Sequence, residues 1–168
     1  MKETPQDYTA RILSYQEGQE PLKIQQATAK KIERLIKGVP KKKLMTRPEP
    51  SKWSVAEIIA HLADTELVGG FRMRLMLGEN GVAIQAFDQD VWAEKFEYRN
   101  RDPKASLAAF HALRENNIAF LKSLPKAMWD NYGMHSERGK ESVTRVVQMF
   151  AGHDLNHLGQ IERILKRK

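Results

Sequence analysis

The sequence predicts an all-α protein built as a four-helix bundle. Three observations carry this. Four long segments return apolar residues every three or four positions, the connections between them are short or medium, and strand alternation is weak, with at most a short hairpin around Tyr132 to Lys140. At 168 residues, 41% hydrophobic and 29% charged, the chain is expected to form one domain, residues 1–168, with its own core.

The first amphipathic segment runs from about Pro21 to Lys37, with Leu22, Ile24, Ile32, Leu35 and Ile36 as apolar members, and Gly38 and Pro40 stop it. A shorter helical piece precedes it, around Gln6 to Gln16, ending near Gly18. The second long helix has the clearest start. Ser54 followed by Glu57 fits a capping box, with Trp53 at the staple position before it. Val55, Ile58, Ile59 and Leu62 give its period, and it persists to Leu77 before Gly78. Residues 79–101 are the least regular, although Phe87 to Trp92 fits a turn of helix.

Asp102-Pro103 opens the third helix as N-cap and first-turn proline. Leu107, Phe110, Leu113, Phe120 and Leu121 form its core side until Leu124-Pro125. The fourth begins near Glu141 or Ser142 and runs to about Lys166, with a seam of Val146, Phe150, His153, His157, Gln160 and Ile164.

That seam places two imidazoles where a plain bundle would hold apolar side chains. Positions i and i+4 are neighbours on one helix face, about 6 Å apart, so both rings can reach one ion. His61 lies on the inward side of the second helix with Ile58, Thr65 and Val68. Buried imidazoles without partners are costly, and three nitrogens from two helices make a metal site with open positions. His61, His153 and His157 are therefore the candidate metal ligands. His111, beside core Phe110, is placed at the surface or boundary, and His135 in a mobile Gly-flanked loop. Asp154 is about 100° around the helix from His153 and is expected to contact a neighbouring helix. Asp64 and Glu66 are candidates for orienting the imidazoles, and Gln160 for holding a metal-bound water or a substrate polar group. The segment with Asp88, Asp90 and Trp92 is a candidate cover.

Other chemistry is excluded or disfavoured. The chain has no cysteine, hence no disulfide, thiolate zinc site or cysteine nucleophile. No nucleophile elbow or phosphate loop is found. The polar N-terminus lacks a signal-peptide core and no stretch is long enough to span a membrane, so the expected address is cytoplasmic. The net charge is +7, and residues 23–47, with nine bases and one acid, alone carry +8, so the remainder is close to neutral. Between Lys30 and Lys43 there is no aromatic residue to stack a base, which argues against nucleic acid and for a solvated basic helix end.

The stretches Trp53-Ser54-Val55-Ala56-Glu57-Ile58-Ile59-Ala60-His61-Leu62-Ala63-Asp64 and His153-Asp154-Leu155-Asn156-His157-Leu158-Gly159-Gln160 resemble the DinB-like superfamily, including its YfiT-type metal-dependent hydrolases. The likeness runs from near residue 20 to the end. It implies a four-helix bundle of the DinB/YfiT type and a divalent ion on three histidines, which fall on His61, His153 and His157. It also implies a homodimer and, for some members, thiol-dependent S-transfer with a low-molecular-weight thiol. The leading expectation is a metal-dependent enzyme with a Lewis-acid ion acting on a small-molecule substrate, by S-transfer or by hydrolysis. A non-catalytic metal- or ligand-binding stress-related module is the alternative. Zinc or nickel is the expected metal, with iron or manganese as alternatives.

Overall fold

A computed structural model describes residues 3–167. Helix α1 (Pro5–Gln16) is capped by Thr4, whose hydroxyl accepts the Asp7 N–H at 3.1 Å. Helix α2 (Pro21–Ile36) follows, then the short α3 (Lys41–Met45) inside the basic segment, and then α4 (Val55–Gly78). The expected capping box opens α4: Glu57 N–H donates to the Ser54 hydroxyl, and Ser54 N–H to the Glu57 carboxylate. Strand β1 (Val82–Ile84), helix α5 (Gln89–Lys95) and a 3-10 turn at Tyr98–Asn100 lead to α6 (Pro103–Ser123). A second 3-10 turn (Lys126–Asp130), strands β2 (Tyr132–His135) and β3 (Gly139–Ser142), and α7 (Val143–Lys166) complete the chain.

The bundle comprises α2, α4, α6 and α7. Helix α4 packs against α6 and α7, and α2 against the same two. Thus α2 stands diagonally across from α4, and α6 from α7. The connections 37–54 and 124–142 therefore cross the ends of the bundle, which is why one carries α3 and the other a hairpin. Helix α1 lies along α7. It can do so because Gly152 has no side chain: a Cβ there would stand 1.9 Å from the carbonyl oxygen of Ile12.

The expected hairpin exists, pairing β2 with β3 from Tyr132 against Ser142 to His135 against Gly139. A third strand joins it from the region read as irregular, β1 running parallel to β2 with Val82 opposite Gly133. Three residues are too few to show alternation. Gly139 turns the hairpin at φ +74°, a conformation glycine adopts freely.

Two apolar clusters fill the bundle, one around Ile32, Ile58, Ile59, Phe110 and Ile161, the other around Met73, Met76, Ile84, Leu121 and Val147. Between them on all four helices lies a buried polar layer. Arg114 donates to Glu66 (2.9 Å), to Asp154 (3.0 Å) and to the Gln25 carbonyl (2.9 Å), and Asn117 donates to Glu66 (2.8 Å). This corrects the reading of α6. Arg114 and Asn117 occupy core positions, while Leu113 and Phe120 are only half-buried. The carboxylates supplied by α4 and α7 make the swap tolerable, since buried charges persist when paired and hydrogen-bonded.

The basic segment does structural work. Lys43 donates to the carbonyls of Leu165 in the last turn of α7 and of Arg167 just after it, Lys41 pairs with Asp102 at 2.6 Å, and Arg47 pairs with Glu57. No helix is long and apolar enough to cross a membrane among the described residues.

Candidate metal centre

Ser54 starts α4 so that His61 falls two turns in, on its inward face. Ser142 starts α7 by accepting the Arg145 N–H at 3.1 Å, and the seam from Val146 then carries His153 and His157 inward. The three rings meet. His61 Nε2 lies 3.0 Å from His153 Nε2, and His157 Nε2 lies 3.1 Å from that same atom. All three side chains are buried.

Burial keeps these imidazoles neutral. His61 is held well below its usual range by burial and then by His157; His153 by burial, His157, His61 and Arg114. His157 is pushed down to about 4 by burial, against the opposing pull of Gln160 and Asp154. Neutral rings with converging nitrogens are the donor set a transition ion requires. Two nitrogens bonded to one ion at about 2.1 Å stand roughly 3.0 to 3.4 Å apart for angles between a right angle and the tetrahedral value, and the observed spacings fall there. The residues fit a divalent ion.

The surroundings orient the rings. Gln160 Oε1 lies 3.0 Å from His157 Nδ1, and with that nitrogen protonated the Nε2 lone pair faces its neighbours. Gln160, expected to hold a water or substrate, instead fixes a ring, because i and i+3 are adjacent on a helix. Thr65 Oγ1 stands 3.4 Å from His61 Nδ1, and the Trp53 ring packs 5.0 Å from that of His61.

Two other expectations need correction. Neither Asp64 nor Glu66 touches an imidazole. Asp64 accepts from the Tyr98 hydroxyl at 2.7 Å and from Arg101 at 2.9 Å, and Glu66 faces α6 and Arg114. Asp64, although three residues from His61, is taken up by Tyr98 and Arg101, and Glu66, five residues on, points to another helix. Asp154 contacts the neighbouring helix through Arg114, as expected. His111 stays apart, half-exposed and 3.5 Å from Glu115. His135 also stays apart, but buried rather than in a mobile loop, since β2 is the central strand of the sheet. Its Nδ1 accepts the Glu137 N–H at 3.2 Å, and its pKa is lowered to about 4 by burial, then Arg138.

Two recesses reach the three histidines. One, of about 510 Å³, includes Trp53, Asp90, His157 and Gln160 in its lining. The other, of about 320 Å³, includes His61, Thr65, Phe150 and His153. Glu3, Tyr8 and Gln89 line both, so the recesses form one cleft with the histidines at the junction. Gln89 and Asp90 place the start of α5 over this cleft. Asp88 is occupied as the α5 cap, and Trp92 packs on Phe87 and Phe96. Tyr8 on α1 carried no signal in the sequence. A further recess, about 1140 Å³ between α2, α3 and α6, is lined by His111 but by none of the three clustered histidines.

Residues 25–161 match the model of the DinB superfamily. The chain belongs to the DinB superfamily. The three histidines lie inside the matched stretch, whereas α1 lies before it. Relatives within the superfamily include candidate metal-dependent hydrolases of Oceanobacillus iheyensis, 30% identical over 69% of this chain, and of Bacillus licheniformis, 29% identical over 68%. The alignments span 67% and 66% of those relatives' own lengths. The solved structure of YfiT from Bacillus subtilis, described as a probable metal-dependent hydrolase with an unusual four-helix bundle topology, superposes with a TM-score of 0.82. That likeness covers 88% of this chain and 85% of YfiT at 22% identity, and it shows a shared fold.

Proposed function

We propose that this chain is a metal-dependent hydrolase of a small molecule, with His61, His153 and His157 as the metal ligands. The observation that carries the reading is the convergence of three buried, neutral Nε2 atoms where two recesses meet. The names of the relatives support hydrolysis and rank it ahead of thiol transfer. A divalent ion, for which zinc and nickel both suit imidazole, supplies Lewis acidity toward a substrate oxygen and acidifies water.

The chain's own residues prepare that chemistry. Burial keeps the histidines unprotonated, so at neutral pH their nitrogens are available without displacing protons. Gln160 and Trp53 restrict two of the rings, and Tyr8 and Gln89 stand over the junction. Met149 and Phe150 give the α7 side of the cleft an apolar wall.

The test is hydrolysis of a panel of nitrophenyl esters and anilides by protein loaded with one equivalent of zinc or nickel. Turnover that chelation abolishes, metal restores and His61→Ala lacks supports the reading. Fully loaded protein that is no faster than metal-free protein on every substrate contradicts it.

A further inference from the structure

The stripe of α4 that begins at His61 continues through Thr65 and Val68 to Arg72, in steps of four, three and four, and all four residues line the same recess. Arg72 is half-buried and held in place: it donates to the Gln85 carbonyl, and its guanidinium lies 5.4 Å over the Phe87 ring. Among the described residues it forms no ion pair with a carboxylate. Its neighbour Arg138, which also lines the recess, is paired with Glu141 at 2.7 and 2.8 Å. Arg11, which lines the adjoining recess, is likewise paired with Glu3. Burial and Arg138 outweigh Glu141 and Glu137 at Arg72, whose pKa is lowered, so the guanidinium is under-compensated. The apolar part of the lining is formed by Val68, Phe87, Met149 and Phe150.

We propose that the cleft takes an elongated substrate with a carboxylate at the end remote from its reacting group, anchored by Arg72, with its apolar middle against Val68, Phe87 and Phe150. This rests on the three-histidine cluster being the metal centre. Arginine presents a fork of donors that matches a carboxylate, and here a single unpaired fork suits a monoanion. Glu137 also lines the recess, and its charge weighs more against a dianion such as a phosphate than against a monoanion. Eleven residues of helix separate the Cα atoms of His61 and Arg72 by about 16 Å along the axis, which sets the scale of the substrate.

The probes are alkyl hydroxamates with a terminal carboxylate and roughly four to eight methylenes, each compared with its neutral methyl ester, the span being set by the helical rise. Calorimetric titration of zinc-loaded protein reads both affinities. The expected result is that the best acid binds about tenfold more tightly than its ester, because a charge-assisted hydrogen bond is gained. Arg72→Met should remove that preference while leaving the ester's affinity within about twofold, and Arg72→Lys should keep part of it because the charge remains. Equal affinities in the unaltered protein overturn the proposal whatever the variants do, as does a preference that survives in Arg72→Met. Retained zinc with binding of neither compound overturns it too. Failure to retain zinc at all removes the metal centre itself, and this inference with it.

Discussion

The Nε2 atoms of His61 and His153 stand 3.0 Å apart although 92 positions separate the residues in the chain. The bundle brings them together, since α4 and α7 are adjacent and each is started by a serine cap that sets which residues face inward.

Replacing Gln160 with Leu should leave the fold intact and weaken zinc affinity by about 10- to 100-fold, the usual range for losing a partner that orients a ligand. The partner lost is the Gln160 contact to His157 Nδ1, 3.0 Å away. Competition with a chromogenic chelator measures it. Unchanged affinity would mean that His157 is oriented by something else.

Arg114 is the hub of the buried polar layer. Arg114→Met should cost about 3–5 kcal/mol, because it strands two carboxylates in the core. Those carboxylates are Glu66 and Asp154. The triple variant Arg114→Met, Glu66→Gln, Asp154→Asn should recover much of that loss. Urea denaturation provides the comparison, and a single variant as stable as the parent would refute the account of this layer.

Gly152→Ala places a methyl against the backbone oxygen of Ile12, which cannot step aside as a side chain could. Helix α1 must shift from α7, at a cost of about 1–3 kcal/mol, typical of overpacking. Limited proteolysis should then cut within α1 before the bundle. Equal resistance to cleavage would show that α1 is not held there.

Much of this was legible in the sequence. The four long helices announce themselves through apolar periodicity, the Ser54–Glu57 box and Asp102-Pro103. The histidine centre announces itself because His153 and His157 break an apolar seam. Other features were hidden for physical reasons. Arg114 and Asn117 share a helical stripe with Phe110 and Leu121, but a charged side chain reads as surface until its carboxylate partners on other helices are known. His135 looks like a loop residue between glycines until β1 pairs beside β2. Arg72 was visible in principle as the far end of the His61–Thr65–Val68 stripe, but only the cleft gives that stripe a meaning.

Acid should unfold the metal-free protein early. His157 and His135 titrate near 4 in the folded state, and His61 and His153 are also lowered, against an unfolded value of 6.5. Between those limits the unfolded chain binds more protons, so stability rises with pH. Full stability is present above 6.5 and is lost as pH falls toward 4. The size for His157 alone is about 3 kcal/mol by linkage. Melting temperatures of metal-free protein across this range should fall steadily with acidification, and a flat profile would contradict the buried neutral state of these rings.

The central claim is that His61, His153 and His157 bind one metal ion. Plasma mass spectrometry on protein purified without a nickel column tests it most directly, with His157→Ala and His111→Ala measured alongside. The account predicts close to one equivalent of a transition metal in the unaltered protein and in His111→Ala, and a loss of nearly all of it in His157→Ala. Metal-free protein that also refuses added zinc and nickel, or full occupancy retained in His157→Ala, would contradict it.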